Sequence, residues 1–170
     1  MAGHLVAGEI MTVETLTVGQ VMSRVLVAVK PGDSPLMAWE LMRRAGVHHL
    51  PVVDGRHVLG ILTRERIAAS WSGGPQEQSS RPVRALLGCE QVPRVRQDTP
   101  LTRVAALMLD AGCDAVPVVS GDGLVGLVTA RDVLSAVAGR ARPAAEPGEV
   151  VTGMFHLEPV LPHETPMGGA

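Results

Sequence analysis

MRRAGVHHLPVVDGRHVLGILTRERI, residues 42–67, lies over MLDAGCDAVPVVSGDGLVGLVTARDV, residues 108–133, at a constant offset of 66 residues and without a gap. Met42/Met108, Ala45/Ala111, Gly46/Gly112, Pro51/Pro117, Val52/Val118, Val53/Val119, Gly55/Gly121, Gly60/Gly126 and Thr63/Thr129 coincide. Self-similarity at a fixed period marks a duplicated supersecondary unit, and it decides the architecture before any single residue does.

Working outward, Asp33-Ser34-Pro35-Leu36 matches Asp98-Thr99-Pro100-Leu101 with a one-residue slip. Both read as helix starts: Ser34 or Thr99 can cap free N–H groups, and proline fits a first turn where its missing N–H has no partner. Leu36, Ala38, Leu41 and Met42, like Leu101, Val104, Ala105, Leu107 and Met108, then follow helical spacing. Gly46 and Gly112 stop these helices. Two short apolar runs follow in each copy, Leu50–Val53 with Val58–Leu62 and Val116–Val119 with Leu124–Val128. Asp54-Gly55 and Gly121-Asp122-Gly123 turn them into hairpins. A second helix follows Thr63 and Thr129, ending near Ser70 and Gly139. Upstream, Val25–Val29 and Val92–Val95 read as strands, each preceded by a helical turn at Val18–Met22 or Val83–Leu87.

The expected fold is therefore α+β, with two βαββα repeats packed through their sheets as a pseudo-two-fold pair. A single unit of about 55 to 60 residues buries too little apolar surface to stand comfortably alone. The repeats are placed at 17–72 and 83–140, joined by a flexible Gly/Ser linker at 73–82. An N-terminal extension (1–16) and a C-terminal tail (141–170) have weak periodicity; the tail is either loose or adds a strand near Val150–Val151.

Composition narrows the function classes. Of 170 residues 46% are hydrophobic, enough for a sizeable core. A net charge of −2 provides no global basic field, and Trp39, Trp71 and Phe155 are the sole aromatics, which argues against nucleic acid as a partner. Cys89 and Cys113 form neither a CxxC pair nor a disulfide framework, and no run approaches the roughly 20 apolar residues of a membrane span. The expectation is a cytoplasmic protein that does not engage membranes.

Met-x-x-x-Gly-x-x-x-x-Pro-Val-Val in both halves, the hairpin glycines Gly60 and Gly126 and the following threonines resemble the cystathionine-β-synthase (CBS) domain family, and specifically its tandem pair, the Bateman module. The resemblance covers about Thr17 to Gly139. It implies two clefts between the halves, a frequent homodimeric disc, and adenosine-containing ligands such as AMP, ADP, ATP or S-adenosylmethionine, with no cofactor required. The family's pattern of glycine, two aliphatics, threonine, two further residues and aspartate is intact as Gly126-Leu127-Val128-Thr129-Ala130-Arg131-Asp132. A helix N-terminus offers N–H groups to phosphate, and Asp132 can accept from both ribose hydroxyls. The resemblance also brings Ala115, Val116 and Pro117 to this nucleotide site.

Thr129 and Asp132 read equally well as an N-cap and the N3 acid of a capping box. The first copy departs from the pattern: Gly60-Ile61-Leu62-Thr63-Arg64-Glu65-Arg66 puts an arginine, which accepts no hydrogen bond, where Asp132 stands. The second cleft, drawn around Thr63, Arg66, Leu50 and Pro51, is then empty, binds a different anion, or lends charge to its neighbour. His48 and His49 stand where relatives place phosphate-facing basic residues, although adjacent histidines also suit a solvated strand end. Neighbours on an extended segment point to opposite faces, so a metal site is not expected there. Arg131, inside the intact pattern, is a better phosphate candidate than Arg64. No nucleophile with its base, phosphate loop or dinucleotide fingerprint is present, so the chain is expected to be no enzyme. It is expected instead to bind a ligand and regulate an unidentified protein partner, the alternative being a structural dimerisation module with vestigial clefts. A homodimer is expected from the helix faces carrying Ala38, Trp39 and Leu41 and Ala105, Ala106 and Leu109.

Overall fold

In the computed structural model, residues 13–24, 26–71, 81–88, 92–140, 149–152 and 156–159 are described. In chain order the elements are α1 (Val18–Val21), β1 (Leu26–Ala28), α2 (Pro35–Ala45), β2 (His49–Asp54), β3 (His57–Thr63) and α3 (Arg64–Ala69). A 3₁₀ turn (Val83–Leu86) precedes α4 (Leu101–Ala111), β4 (Ala115–Ser120), β5 (Gly123–Thr129), α5 (Ala130–Val137), β6 (Glu149–Thr152) and β7 (His156–Pro159). The fold mixes helix and strand, with an antiparallel hairpin in each repeat.

The two hairpins are superimposable in register. His49 faces Thr63 and Leu50 faces Leu62 as Ala115 faces Thr129 and Val116 faces Val128. Even the irregularity recurs, between Val52 and Val53 and between Val118 and Val119. Gly55 and Gly121 turn the hairpins at φ of 59° and 57°, a region costly for any residue with a Cβ. One parallel bridge extends each hairpin: Val29 to Val52, and Val95 to Val118.

Three expectations are corrected. Val92–Val95 is no strand; its backbone pairs only through Val95, which donates to the Pro117 carbonyl and accepts from Val119 N–H. In α2, Ser34 caps Met37 N–H and Pro35 takes N1, but in α4 Pro100 sits in the N-cap position and gives no side-chain bond. The one-residue slip is the cause: Thr99 falls a step too early and its Oγ accepts from Arg96 N–H instead. Ala38, assigned to an outer face, is fully buried in the first core.

The turns that open the repeats, Val18–Val21 and Val83–Leu86, each pack on the other repeat. Leu16, Val18, Val21 and Met22 join the core of Val95, Leu101, Val104, Met108, Val116, Val118 and Val128. Val83 joins Val29, Ala38, Met42, Leu50, Val52, Leu62 and Ile67, with Leu86 and Leu87 packed on that cluster. Backbone bonds fix the exchange: Val18 N–H donates to Thr99 O at 2.9 Å and Val83 N–H to Asp33 O at 2.8 Å. Between the two cores, Leu26, Ala28, Val53, Val58, Ala115, Leu124 and Leu127 form a third cluster that joins the hairpins.

The tail does add a strand. β6 pairs parallel to β1, with Leu26 opposite Val150, and β7 pairs antiparallel to β6. The linker at 73–82 lies outside the described residues except for Arg81 and Pro82, as does the extension at 1–16 up to Thr12.

Candidate ligand clefts

Glycine makes room for the exchanged turns. A Cβ on Gly60 would meet Leu87 Cδ2 at 2.8 Å, and one on Gly126 would meet Met22 Sδ at 2.5 Å and Ser23 O at 3.1 Å. Each exchanged turn therefore lies close against the strand that leads into a repeat's last helix, and the one beside Gly60 walls a cleft. The cleft beside Gly60 is a cavity of about 910 Å³. Thr63, Glu65 and Arg66 come to it from the first repeat, Cys113, Asp114 and Ala115 from the second, and Leu87 and Gly88 from the exchanged turn.

On the Gly126 side, β5 ends at Thr129 and α5 begins. Thr129 N–H and Oγ both donate to Asp132 Oδ2 at 2.8 Å, while Asp132 N–H donates back to Thr129 Oγ at 3.4 Å. This is the capping box, and it fixes both side chains in one half-buried arrangement at the head of an eight-residue helix. Arg131 and His48 are exposed.

His49 does something the sequence reading missed. Its side chain is only 15% exposed, and Nε2 lies 2.8 Å from Oδ1 of Asp114 in the other repeat. The pair crosses from the strand start of one repeat to that of the other, so His49 is committed to a protein carboxylate in this arrangement.

Ala115 lines the cavity shared with Thr63 and Arg66 and also faces Thr129 across its hairpin. Leu50 and Val116 are fully buried in the two cores, and Pro51 and Pro117 lend their carbonyls to Val29 and Val95 N–H groups. These four positions hold the strands that carry the clefts.

Arg66 turns its guanidinium against the exchanged turn. Nη1 lies 3.5 Å from Leu86 O, and a Cβ on Gly88 would come within 2.9 Å of it. Arg64 leaves the cleft: its guanidinium sits 5.3 Å from the Trp39 ring centre, and Trp39 packs at 4.8 Å on Trp71. The residue aligned with Arg131 is therefore Glu65. Its carboxyl is held below the usual range by its own backbone N–H and by the Thr63 hydroxyl. Burial pushes the Cys113 thiol up, which makes it a poor nucleophile at neutral pH. Among the described residues no group of three side chains is placed to hold a metal ion, and no helix is long and apolar enough to cross a membrane.

Two copies of one domain, packed as a pseudo-two-fold pair with a cavity lined from both, define the class of the fold. The chain belongs to the CBS domain family: the family model for the CBS domain matches residues 18–73 and 85–139.

Among solved structures, CBSX2 in complex with AMP is 28% identical with a TM-score of 0.63, covering 74% of this chain and 98% of that one. The CBS domain pair of protein MJ0100, in complex with 5′-methylthioadenosine and S-adenosyl-L-methionine, is 25% identical with a TM-score of 0.61, covering 70% and 97%. Among curated relatives, an inosine-5′-monophosphate dehydrogenase of Korarchaeum cryptofilum is 34% identical over 65% of this chain and 22% of its own length. An A-adding tRNA nucleotidyltransferase of Geobacter sulfurreducens is 28% identical over 77% and 14%. The chain thus spans less than a quarter of either of these enzymes.

Proposed function

We propose that this chain is a regulatory module without catalysis of its own, which binds an adenosine-containing nucleotide in the cleft carrying Thr129, Arg131 and Asp132. The observation that carries the reading is the intact run Gly126 to Asp132, whose acid is already fixed by the capping box beside an exposed arginine. A preset carboxylate loses little freedom on meeting a ribose diol, and the first turn of α5 suits phosphate. AMP in CBSX2 and the two adenosyl ligands in the MJ0100 domain pair support the ligand class.

The module works in the cytoplasm as a homodimer and passes its ligand state to a protein partner. Leu109, Leu134 and Val137, 83%, 66% and 64% exposed, supply the apolar face that a second copy would cover.

Titration calorimetry with AMP on the parent, Asp132→Ala and Arg66→Ala tests the reading. Losing charge-assisted bonds worth roughly 1.5–3 kcal/mol weakens Asp132→Ala by about 10- to 150-fold. Arg66→Ala stays near the parent. Equal affinity in parent and Asp132→Ala removes the reading. A second reading, a dimerisation module with vestigial clefts, draws on the same capping box, since Thr129 and Asp132 already satisfy each other. It predicts no binding of any adenine nucleotide by the parent.

A further inference from the structure

The cleft beside Gly60 differs from its counterpart in the sign of its charges. At the 66-residue offset Thr63 corresponds to Thr129, but Glu65 corresponds to Arg131, Arg66 to Asp132 and Asp114 to His48. Three positions reverse or exchange charge on a backbone that is otherwise the same. From this inversion, and from the cavity it lines, we infer that the first-repeat cleft binds a small organic cation with an apolar body, free of phosphate and ribose.

The cavity is of ligand size, about 910 Å³. Its walls are largely aliphatic, with Leu59, Ile61, Leu87 and Ala115 on them. Of its charged groups, Arg66 is exposed, with Nη1 3.5 Å from the Leu86 carbonyl and directed at Gly88. Glu65 remains exposed, and Asp114, although bonded to His49, keeps 67% of its side chain exposed. The two carboxylates are close enough to feel each other's charge. A phosphate entering here meets two acids, Glu65 and Asp114, and a helix of only six residues. A ribose meets Arg66 where an acceptor is needed. An ammonium group meets two carboxylates against one guanidinium, on the wall of a largely aliphatic chamber.

The inference rests on the family reading of the clefts but not on a nucleotide in the second one, and the test separates the two. Calorimetry on the full chain uses tryptamine, its neutral analogue N-acetyltryptamine, and AMP. Tryptamine should bind at least tenfold more tightly than N-acetyltryptamine. Glu65→Gln with Asp114→Asn should remove that preference and leave AMP unchanged, whereas Asp132→Ala should weaken AMP and leave tryptamine unchanged.

Transplanting the other cleft's residues gives a gain that misfolding cannot imitate: Glu65→Arg, Arg66→Asp and Asp114→His together should raise AMP from one to two per chain. Equal binding of the two amines, or no binding of either at millimolar concentration, overturns the inference, as does AMP occupying both clefts of the parent. Tryptamine binding in a parent that takes no AMP leaves this inference standing and sinks the nucleotide site.

Discussion

The two repeats agree along their hairpins and differ in what packs around them, in their first strands and in their helix starts. Their hairpins share register, turn glycines and irregularity, residue for residue. What lies on those hairpins diverges: Arg64, Trp39 and Trp71 stack together in the first repeat, where the second has Ala130, Ala105 and Val137 and leaves Leu109 and Leu134 in solvent. Duplication thus preserved a frame and released its two faces to separate tasks. The exchanged turns keep these unequal halves together, because neither core is complete without a segment from the other repeat.

That exchange gives the largest expected effect. Met22 belongs by sequence to the first repeat but is 2% exposed within the second core. Met22→Ala should cost about 2–5 kcal/mol, as buried large-to-small changes do. The loss should fall on the second repeat: amide hydrogen exchange in β4 and β5 should accelerate more than in β2 and β3. Faster exchange confined to the first hairpin would mean that the turn packs on its own repeat.

Much of this was legible in the residues and some was not, for a physical reason in each case. The hairpins were legible because turn glycines, at positive φ in Gly55 and Gly121, stand between paired short apolar runs and leave few alternatives. The capping box of Thr129 and Asp132 was legible because both partners lie within four residues of one segment. The exchange was not, since Val18 and Val83 look alike to periodicity and nothing local says which core each one enters. Val92–Val95 read as a strand by analogy with Val25–Val29 in the first copy, yet a strand needs a partner edge, and among the described residues only Val95 finds one. The bond from His49 to Asp114 was out of reach too, being 65 residues apart in sequence. The charge inversion between the clefts did lie in the sequence; aligning Glu65, rather than Arg64, with Arg131 at the 66-residue offset would have shown it.

The helix starts sharpen the comparison at a smaller scale. Ser34 caps α2 through Met37 N–H, whereas Thr99 lies outside α4 and accepts from Arg96 N–H in an exposed turn. Ser34→Ala should cost about 0.5–2 kcal/mol. Thr99→Ala should stay within about 0.5 kcal/mol of the parent, as surface changes without a cap usually do. Paired denaturant titrations measure both, and equal losses would restore Thr99 as a true cap.

The smallest effect separates α2 from α4 by charge alone. On α2, Glu40 accepts from Arg43 at 2.7 Å and from Arg44 at 2.8 Å, one turn along the same face. The position aligned with Glu40 on α4 is Ala106, which can hold no such bridge. Hydrogen bonds from Arg43 and then Arg44 lower the Glu40 carboxyl from 4.5 to about 2. A carboxyl whose folded value is depressed favours the folded state once it is ionised there. Its contribution is fully present above the unfolded value of about 4.5 and disappears as pH falls through about 2. The group is fully solvated, so the gain is small and should shrink further as salt screens the pair. Carboxyl-carbon NMR should therefore find Glu40 titrating near 2 at low ionic strength and moving toward 4.5 in high salt. Glu40→Gln should flatten the acid limb of the stability curve by that one group while leaving stability in the second repeat untouched. A Glu40 that titrates at 4.5 in dilute buffer would show that the two arginines are drawn to water instead, and that α2 and α4 are held by their buried faces alone.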